Sequence, residues 1–350
     1  MTRLLLFIVL VVFGITSRAQ NPRLSMFEAS PLHVNPAYAG KFEGKTRGLV
    51  HFSSQSADSA KMSHATIAVD YNSKWDVNKP APRKYLGFGL QHYRYGDMGN
   101  SPLTASFTSF SGAYHTLLDK RGRHYFGAGA QATFASGKLD RSKGLNQYVY
   151  EKEISGGGFR YRAGDSDTPY ASHSYLDFAV GVYYGYKTPQ FRFEAGLSMY
   201  HLFYPANDIF QKDTDIPKLR HRGVFSMKFD FNLNDTRNIA FKSMYWADGL
   251  YWLSRSFDSD NLIAFWNGIE VTRNYNIDKK YYFNYGLFTR NFRTVMPQVS
   301  IFYNRSYNLR LSYETPVNSA KFSAYNAKRA ELALIMILDM RGKLLPYIED

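Results

Sequence analysis

Nine histidines are the first residues to test for chemistry, because imidazole is the commonest metal ligand and titrates near neutral pH. Eight of them, His51, His64, His92, His115, His124, His173, His201 and His221, fall singly within alternating segments or at their ends. There is no H-E-x-x-H pair and no histidine pair with an acidic third ligand, so the spacing of a zinc site is missing. They read as lumen or interface side chains. Gly156-Gly157-Gly158 has the composition of a phosphate cradle, but no helix pattern follows it, and such a cradle needs a helix N-terminus. Asp165-Ser166-Asp167 could offer oxygens to calcium but lacks the spacing of a calcium loop and reads as a solvated turn. A barrel hydrolase would need serine, histidine and a polar orienter converging at a rim, and no such set is marked. The expectation is a non-enzymatic chain without metal or cofactor.

The elements that carry these residues alternate with period two, the mark of strands with two chemically different faces. Phe191-Arg192-Phe193-Glu194-Ala195-Gly196-Leu197-Ser198-Met199 is the clearest case. Phe225, Met227, Phe229, Phe231 and Leu233 alternate in the same way with Ser226, Lys228, Asp230 and Asn232. Leu176 to Tyr184 and Tyr125 to Phe134 repeat the pattern. Fourteen such segments are expected, near 45–54, 62–72, 84–95, 103–117, 123–137, 172–187, 190–203, 219–231, 237–247, 262–274, 281–291, 294–304, 306–314 and 329–340. Roughly 10 to 16 residues suits a tilted membrane strand with extensions. The predicted fold is all-β, a transmembrane antiparallel up-and-down barrel of about 14 strands.

The ends of the chain agree with export. Residues 1–19 read as a signal peptide, with Arg3 before an apolar run from Leu4 to Ile15 and a small-residue cleavage site at Ser17-Arg18-Ala19. A run of about 12 residues is too short to span a bilayer. Residues 20–44 are expected to be an extended, anchored lead-in, residues 45–340 the barrel, and residues 341–350 a periplasmic tail. There is no cysteine, which excludes disulfides and thiolate metal sites. Aromatic residues make up 17%, with 28 Tyr and 27 Phe, a supply suited to two membrane–water girdles. The net charge of +14 falls to +12 once Arg3 and Arg18 leave. Its Lys and Arg are spread through strands and loops rather than forming one nucleic-acid stripe, so they fit anionic headgroups of membrane lipid and lipopolysaccharide.

Connection lengths separate a membrane barrel from a soluble sandwich. Counting from the first hairpin, tight even connections occur at Leu118 to Gly122, Thr188-Pro189, Asn232 to Thr236 and Arg305. Long odd ones occur at Leu139 to Ala171, Tyr204 to Lys218, Ala247 to Asn261 and Thr315 to Lys328. Outer-membrane barrels place short turns at the periplasmic rim and long loops outside. A short odd turn near Asn291 to Arg293 and a long even one from Ser73 to Arg83 depart from the rule. The inward face would carry Asp70, Asp177, Arg192, Glu194, Lys228, Asp230, Lys242, Glu270, Arg310 and Glu314. Both signs are present, which suits pairing across a narrowed bore, and the segment from Gln20 to Gly40 or a long loop could fold inward as a plug.

The most specific stretch is Asn35-Pro36-Ala37-Tyr38-Ala39-Gly40. Proline bars helix for Asn35, and Gly40 permits a positive φ before the first strand. This N-P-A-Y-A-G run resembles the motif that follows the signal peptide in the PorP/SprF family of Bacteroidetes outer-membrane proteins, linked to type IX secretion and gliding motility. A second similarity lies near the end, where Leu309-Arg310-Leu311-Ser312-Tyr313 leads through Phe322, Ser323, Tyr325 and Asn326 to Glu331. Here Ala327-Lys328-Arg329-Ala330 stands where the family usually has glycines and a histidine.

The resemblance implies a partner protein for exporting a large secreted adhesin, or for holding its C-terminal domain at the cell surface of a Gram-negative bacterium. Other type IX components and a periplasmic peptidoglycan-binding protein are further implied partners; nucleic acid is not. The long outer loops, with Tyr148, Tyr150, Phe159, Arg160, Tyr161 and Arg162 in one and Phe322 and Tyr325 in another, are the expected contact surfaces. A general diffusion porin and an outer-membrane barrel hydrolase remain the competing readings.

Overall fold

A computed structural model describes residues 24–57, 60–73, 83–96, 103–140, 170–203, 205, 221–234, 237–248, 263–274, 281–303, 306–317 and 328–338. The strands are β1 (Thr46–Ala57), β2 (Ala60–Asn72), β3 (Lys84–Tyr95), β4 (Leu103–Leu117), β5 (His124–Asp140), β6 (Tyr170–Lys187) and β7 (Phe191–Tyr200). They continue with β8 (Arg222–Asn234), β9 (Arg237–Asp248), β10 (Ile263–Asn274), β11 (Tyr281–Arg290), β12 (Thr294–Tyr303), β13 (Tyr307–Pro316) and β14 (Lys328–Leu338). Each pairs antiparallel with its successor, and β14 returns to β1 in register from Thr46–Leu338 to Ser56–Lys328. The barrel is therefore closed with fourteen strands, and closure leaves no unpaired edge for lipid to meet.

Alternation sorts the side chains as expected. Ile67, Leu90, Phe110, Phe134, Leu176, Leu287 and Leu311 all point outward and are exposed. In water each would forfeit about 1.5–3 kcal/mol of burial, so this surface needs a bilayer. Tyr281, Tyr303 and Tyr307 pack ring against ring where β11, β12 and β13 approach the short-turn rim, as an aromatic girdle does. Pro297 sits mid-strand in β12 and has no N–H to offer. The β12–β13 ladder lapses there, breaking off at Val295–Thr315 and resuming at Gln298–Ser312.

The connections keep the parity pattern except at three places: the even β2–β3 connection is long, and the odd β11–β12 and β1–β2 turns are short. β1 and β2 are separated by just two residues although theirs is an odd connection. The loop residues Tyr148, Tyr150, Phe159, Arg160, Tyr161, Arg162, Phe322, Ser323, Tyr325 and Asn326 lie outside the described residues. So do the leader and the tail.

The lead-in is not extended. From Leu24 to Gly44 the chain coils through three short helical turns, Phe27–Ala29, Pro31–Val34 and Pro36–Tyr38, inside the barrel. An extended strand there would leave its backbone donors unpaired, whereas successive turns satisfy them locally, as in Asn35 N–H to Pro31 O and Tyr38 N–H to Asn35 O. Asn35 itself is extended, at φ −156°, and Gly40 has φ +70°, both as proline and glycine dictate.

Candidate functional site

The distinctive site is the seat of this luminal plug. Asn35 is only 1% exposed, and all its side-chain polar atoms are used. Its Oδ1 accepts from Ala37 N–H at 2.9 Å, while Nδ2 donates to the carbonyls of Val182 in β6 and Leu197 in β7 at 3.0 and 3.3 Å. Those two carbonyls belong to residues paired across the β6–β7 ladder, so one amide both caps a turn and grips two strands. Tyr38 shares a hydrogen bond with Ser226 Oγ at 2.9 Å. Gly40 N–H donates at 2.9 Å to Asp70, whose carboxylate is also held by the Arg47 guanidinium at 2.8 and 2.6 Å. His115 Nε2 must carry its proton, because it contacts the Ala39 carbonyl at 2.8 Å, leaving Nδ1 to accept from Tyr183 at 2.6 Å.

The middle of the plug is held by wall side chains reaching for its carbonyls. Ser198 donates to Val34 O at 2.7 Å, Tyr200 to His33 O at 2.9 Å, and Gln131 to Leu32 O at 3.3 Å. Apolar contacts complete the fit. Phe27 and Val34 join Trp246, Trp266, Met244, Met296 and Phe288 in a buried cluster, and Leu32 packs with Leu49, Ala68 and Ala113.

The same wall lets the N-P-A-Y-A-G backbone approach because it lacks side chains at four positions. A Cβ on Gly87 would lie 1.9 Å from Ala39 O, and one on Gly129 would lie 2.7 Å from Ala37 Cα. At Gly181 it would meet Asn35 Oδ1 at 2.0 Å, and at Gly196 the Tyr38 hydroxyl at 2.4 Å. Glycine on the wet face of successive strands is thus a recess cut to the plug's shape. The signal in the sequence is the run of alternate glycines on the polar faces of β3, β5, β6 and β7.

Glu331 joins the two ends of the chain. Its carboxylate accepts from the N–H groups of Ser25 and Met26, both at 2.7 Å, and faces His51 Nε2 at 3.3 Å. Ser25 Oγ donates to Glu314 at 2.5 Å, and Glu314 pairs with Arg290 at 2.6 Å. Of the residues singled out from sequence, Asn35 to Gly40 form one end of the plug, and Glu331 holds the other end through Ser25 and Met26. The charges expected on the inward face are there too: Lys242 bridges Glu28 of the plug and Glu270 at 2.5 and 2.7 Å, and Lys41 pairs with Glu194.

Burial alone would raise the Glu28 carboxyl, but Lys242, Lys228 and Arg310 outweigh it and hold it well below the usual range. Burial brings the Lys41 ammonium down to about 8, against the upward pull of Glu194. For both groups the seated form binds fewer protons than the released one, Glu28 below pH about 4.5 and Lys41 between about 8 and 10.5. Seating is therefore favoured as pH rises and lost as it falls. Hydrogen exchange of residues 24–40 will accelerate on going from pH 7 to pH 4, after correction for intrinsic rates, and Glu28→Gln will blunt the acceleration. Equal acceleration in the variant would remove Glu28 from the account.

A search of curated proteins gave no sequence match. Among solved structures, the Ralstonia pickettii toluene transporter TbuX is similar at a TM-score of 0.48 and 12% identity, over 93% of this chain and 96% of that one. A Pseudomonas aeruginosa FadL homologue gives 0.46 and 9%, over 86% and 91%, and the P. putida toluene transporter TodX 0.42 and 9%, over 86% and 90%. The family profile described as type IX secretion system membrane protein PorP/SprF matches residues 16–335, which takes in the plug, its motif and every strand but the end of β14. The chain belongs to the PorP/SprF family of type IX secretion membrane proteins.

Proposed function

We propose that this outer-membrane barrel is a non-enzymatic docking partner of the type IX machinery, serving export or surface anchoring of a large secreted adhesin through that protein's C-terminal domain. The observation that carries the reading is the seated plug. A lumen crossed by a segment hydrogen-bonded to β1, β5, β6, β7, β8 and β14 is poorly suited to free diffusion. Its work then falls to the rims and loops, where tyrosine and arginine serve as contact anchors. The loop carrying Tyr148, Tyr150, Phe159, Arg160, Tyr161 and Arg162, and the one carrying Phe322 and Tyr325, are the surfaces we assign to the adhesin. Deleting residues 141–169 will abolish surface retention of the adhesin while the barrel still inserts, and affinity purification from solubilised outer membranes will lose the same partner. Unchanged retention overturns the assignment.

The hydrolase reading has one observation to meet. Ser30 Oγ lies 2.9 Å from His51 Nδ1, and His51 faces Glu331, which is the order of a hydroxyl–imidazole–carboxylate chain. Ser30 is 1% exposed and His51 0%, and the Glu331 oxygens are already taken by the plug's N–H groups. Without a path for substrate, the chain of bonds acts as a clamp. Lipid or peptide turnover abolished by Ser30→Ala would restore the hydrolase.

A further inference from the structure

The turn from β11 to β12 holds an aromatic ring where the backbone resists one. Arg293 N–H closes the turn on Arg290 O at 3.0 Å, and the two residues between, Asn291 and Phe292, have φ +52° and +55°. Asparagine followed by glycine fits such a turn, whereas a bulky side chain in the left-handed region is strained. Phe292 nevertheless stands there, 72% exposed, with its ring edge-on to Phe265 of β10 at 5.1 Å. The turn itself does not need a phenyl ring, so strain kept at this surface position argues for a use of the side chain.

The outward side chains around the turn change character in rows. Phe241, Ile269, Leu287 and Pro297 pair in turn across β9 to β12 and make an apolar row. One row nearer the long-loop rim come Ser243, Asn267, Thr289, Val295 and Thr315, with Ser243 Oγ donating to Asn267 Oδ1 at 2.8 Å. Three hydroxyls and a carboxamide on the outer wall need water, so the lipid tails end at this row. Beyond it lie Tyr245, Phe265, Phe292 and Val317; Val317 is 64% exposed and its N–H donates to Arg293 O at 2.9 Å. A headgroup girdle favours tyrosine and tryptophan for their polar tips, and phenylalanine and valine have none. The phosphates of lipopolysaccharide would call for cations, and these four residues carry no charge. The occupant that suits the shelf is a folded protein surface presenting an apolar side chain. Val317 also opens the connection from β13 to β14, so the shelf is continuous with a loop assigned above to the adhesin. We propose that Phe292 is an anchor for an apolar side chain of the adhesin's C-terminal domain, with Phe265 and Val317 completing the shelf. This assignment rests on the adhesin reading and gives it a contact residue.

The chain has no cysteine, so Val317→Cys supplies a single thiol beside Phe292. A membrane-impermeant maleimide will label this variant about tenfold more slowly on intact cells than in vesicles of outer-membrane lipid holding the purified protein alone, because a docked partner excludes water from its anchor. Adding Phe292→Gly will raise labelling on cells to the vesicle rate. The melting temperature of the barrel will change little, since what glycine adds to the freedom of the unfolded chain is offset by a relaxed turn. Slow labelling in vesicles as well would mean that lipid covers the shelf, and fast labelling on cells with Phe292 in place would mean that nothing does; either overturns the proposal. So does slow labelling on cells that Phe292→Gly leaves unchanged. Deleting residues 141–169 separates the two readings. The adhesin reading fails if those cells keep the adhesin; the anchor alone fails if they lose it and Val317→Cys is still labelled slowly.

Discussion

Valine at both Gly87 and Gly129 will expel the plug and turn a silent barrel into a conducting one. Each new Cβ would sit inside the backbone of the plug, 1.9 Å from Ala39 O and 2.7 Å from Ala37 Cα, and backbone cannot step aside as a side-chain tip can. Overpacking of this kind costs about 1–3 kcal/mol per site, and two sites on neighbouring parts of one short segment act together. The barrel wall loses nothing by the change, since valine favours strands and the ladder bonds are backbone. The native chain in planar bilayers will give a flat trace; the double variant will give steady openings with about tenfold or greater conductance. Gly112→Ala, at a position where a Cβ meets nothing within 4 Å, is the control and will stay silent. A silent double variant with a native barrel would mean the plug does not seal the lumen.

The second large effect is expected at Glu331. Replacing it by alanine removes two charge-assisted bonds to Ser25 and Met26 and the counter-charge beside His51 and Arg329. Breaking a buried ionic network from one side typically costs about 3–5 kcal/mol; here Arg329 keeps its contact with Glu314, while the Ser25 and Met26 N–H groups lose their acceptor. Most of that loss falls on the plug rather than the wall, since β14 keeps its pairings to β1 and β13. Hydrogen exchange at residues 24–30 will accelerate about 100-fold or more while exchange in β1 and β14 changes little. Uniform acceleration across the sheet would instead make Glu331 a determinant of barrel closure. Glu331→Gln, which keeps one acceptor oxygen, will lie between.

The barrel was largely legible in the sequence because lipid and lumen impose opposite chemistries on alternate residues. Strands such as Lys84–Tyr95 and Leu103–Leu117 fall on the expected boundaries, where the alternation is unbroken and turn residues flank it. The inward charges were legible for the same reason. What alternation does not report is what fills the interior. The lead-in was expected to run extended because Asn35-Pro36 forces extended geometry at Asn35, which it does; the flanking turns follow from contacts with walls more than a hundred residues away, such as Val182 and Leu197. His33, a histidine the spacing argument left unplaced, packs edge-on to Tyr93 at 5.2 Å. Glu331 stood out only through the family's closing pattern, and its partners at Ser25 and Met26 lie about 300 positions back. Glycines 87, 129, 181 and 196 were visible as a face but not as a recess, because an absence of side chains has meaning only beside its occupant.

The seam between β1 and β14 bears on the order in which this protein assembles. The segment at Leu24–Gly44 is made first, yet the carboxylates that hold its leading end, Glu314 and Glu331, sit on the last two strands. The bonds that hold the plug's leading end can therefore form only once the last two strands are in place. Such widely separated contacts make for slow folding, and here they couple the last two strands to a segment that precedes the first. An incomplete wall would leave the plug's leading end untethered.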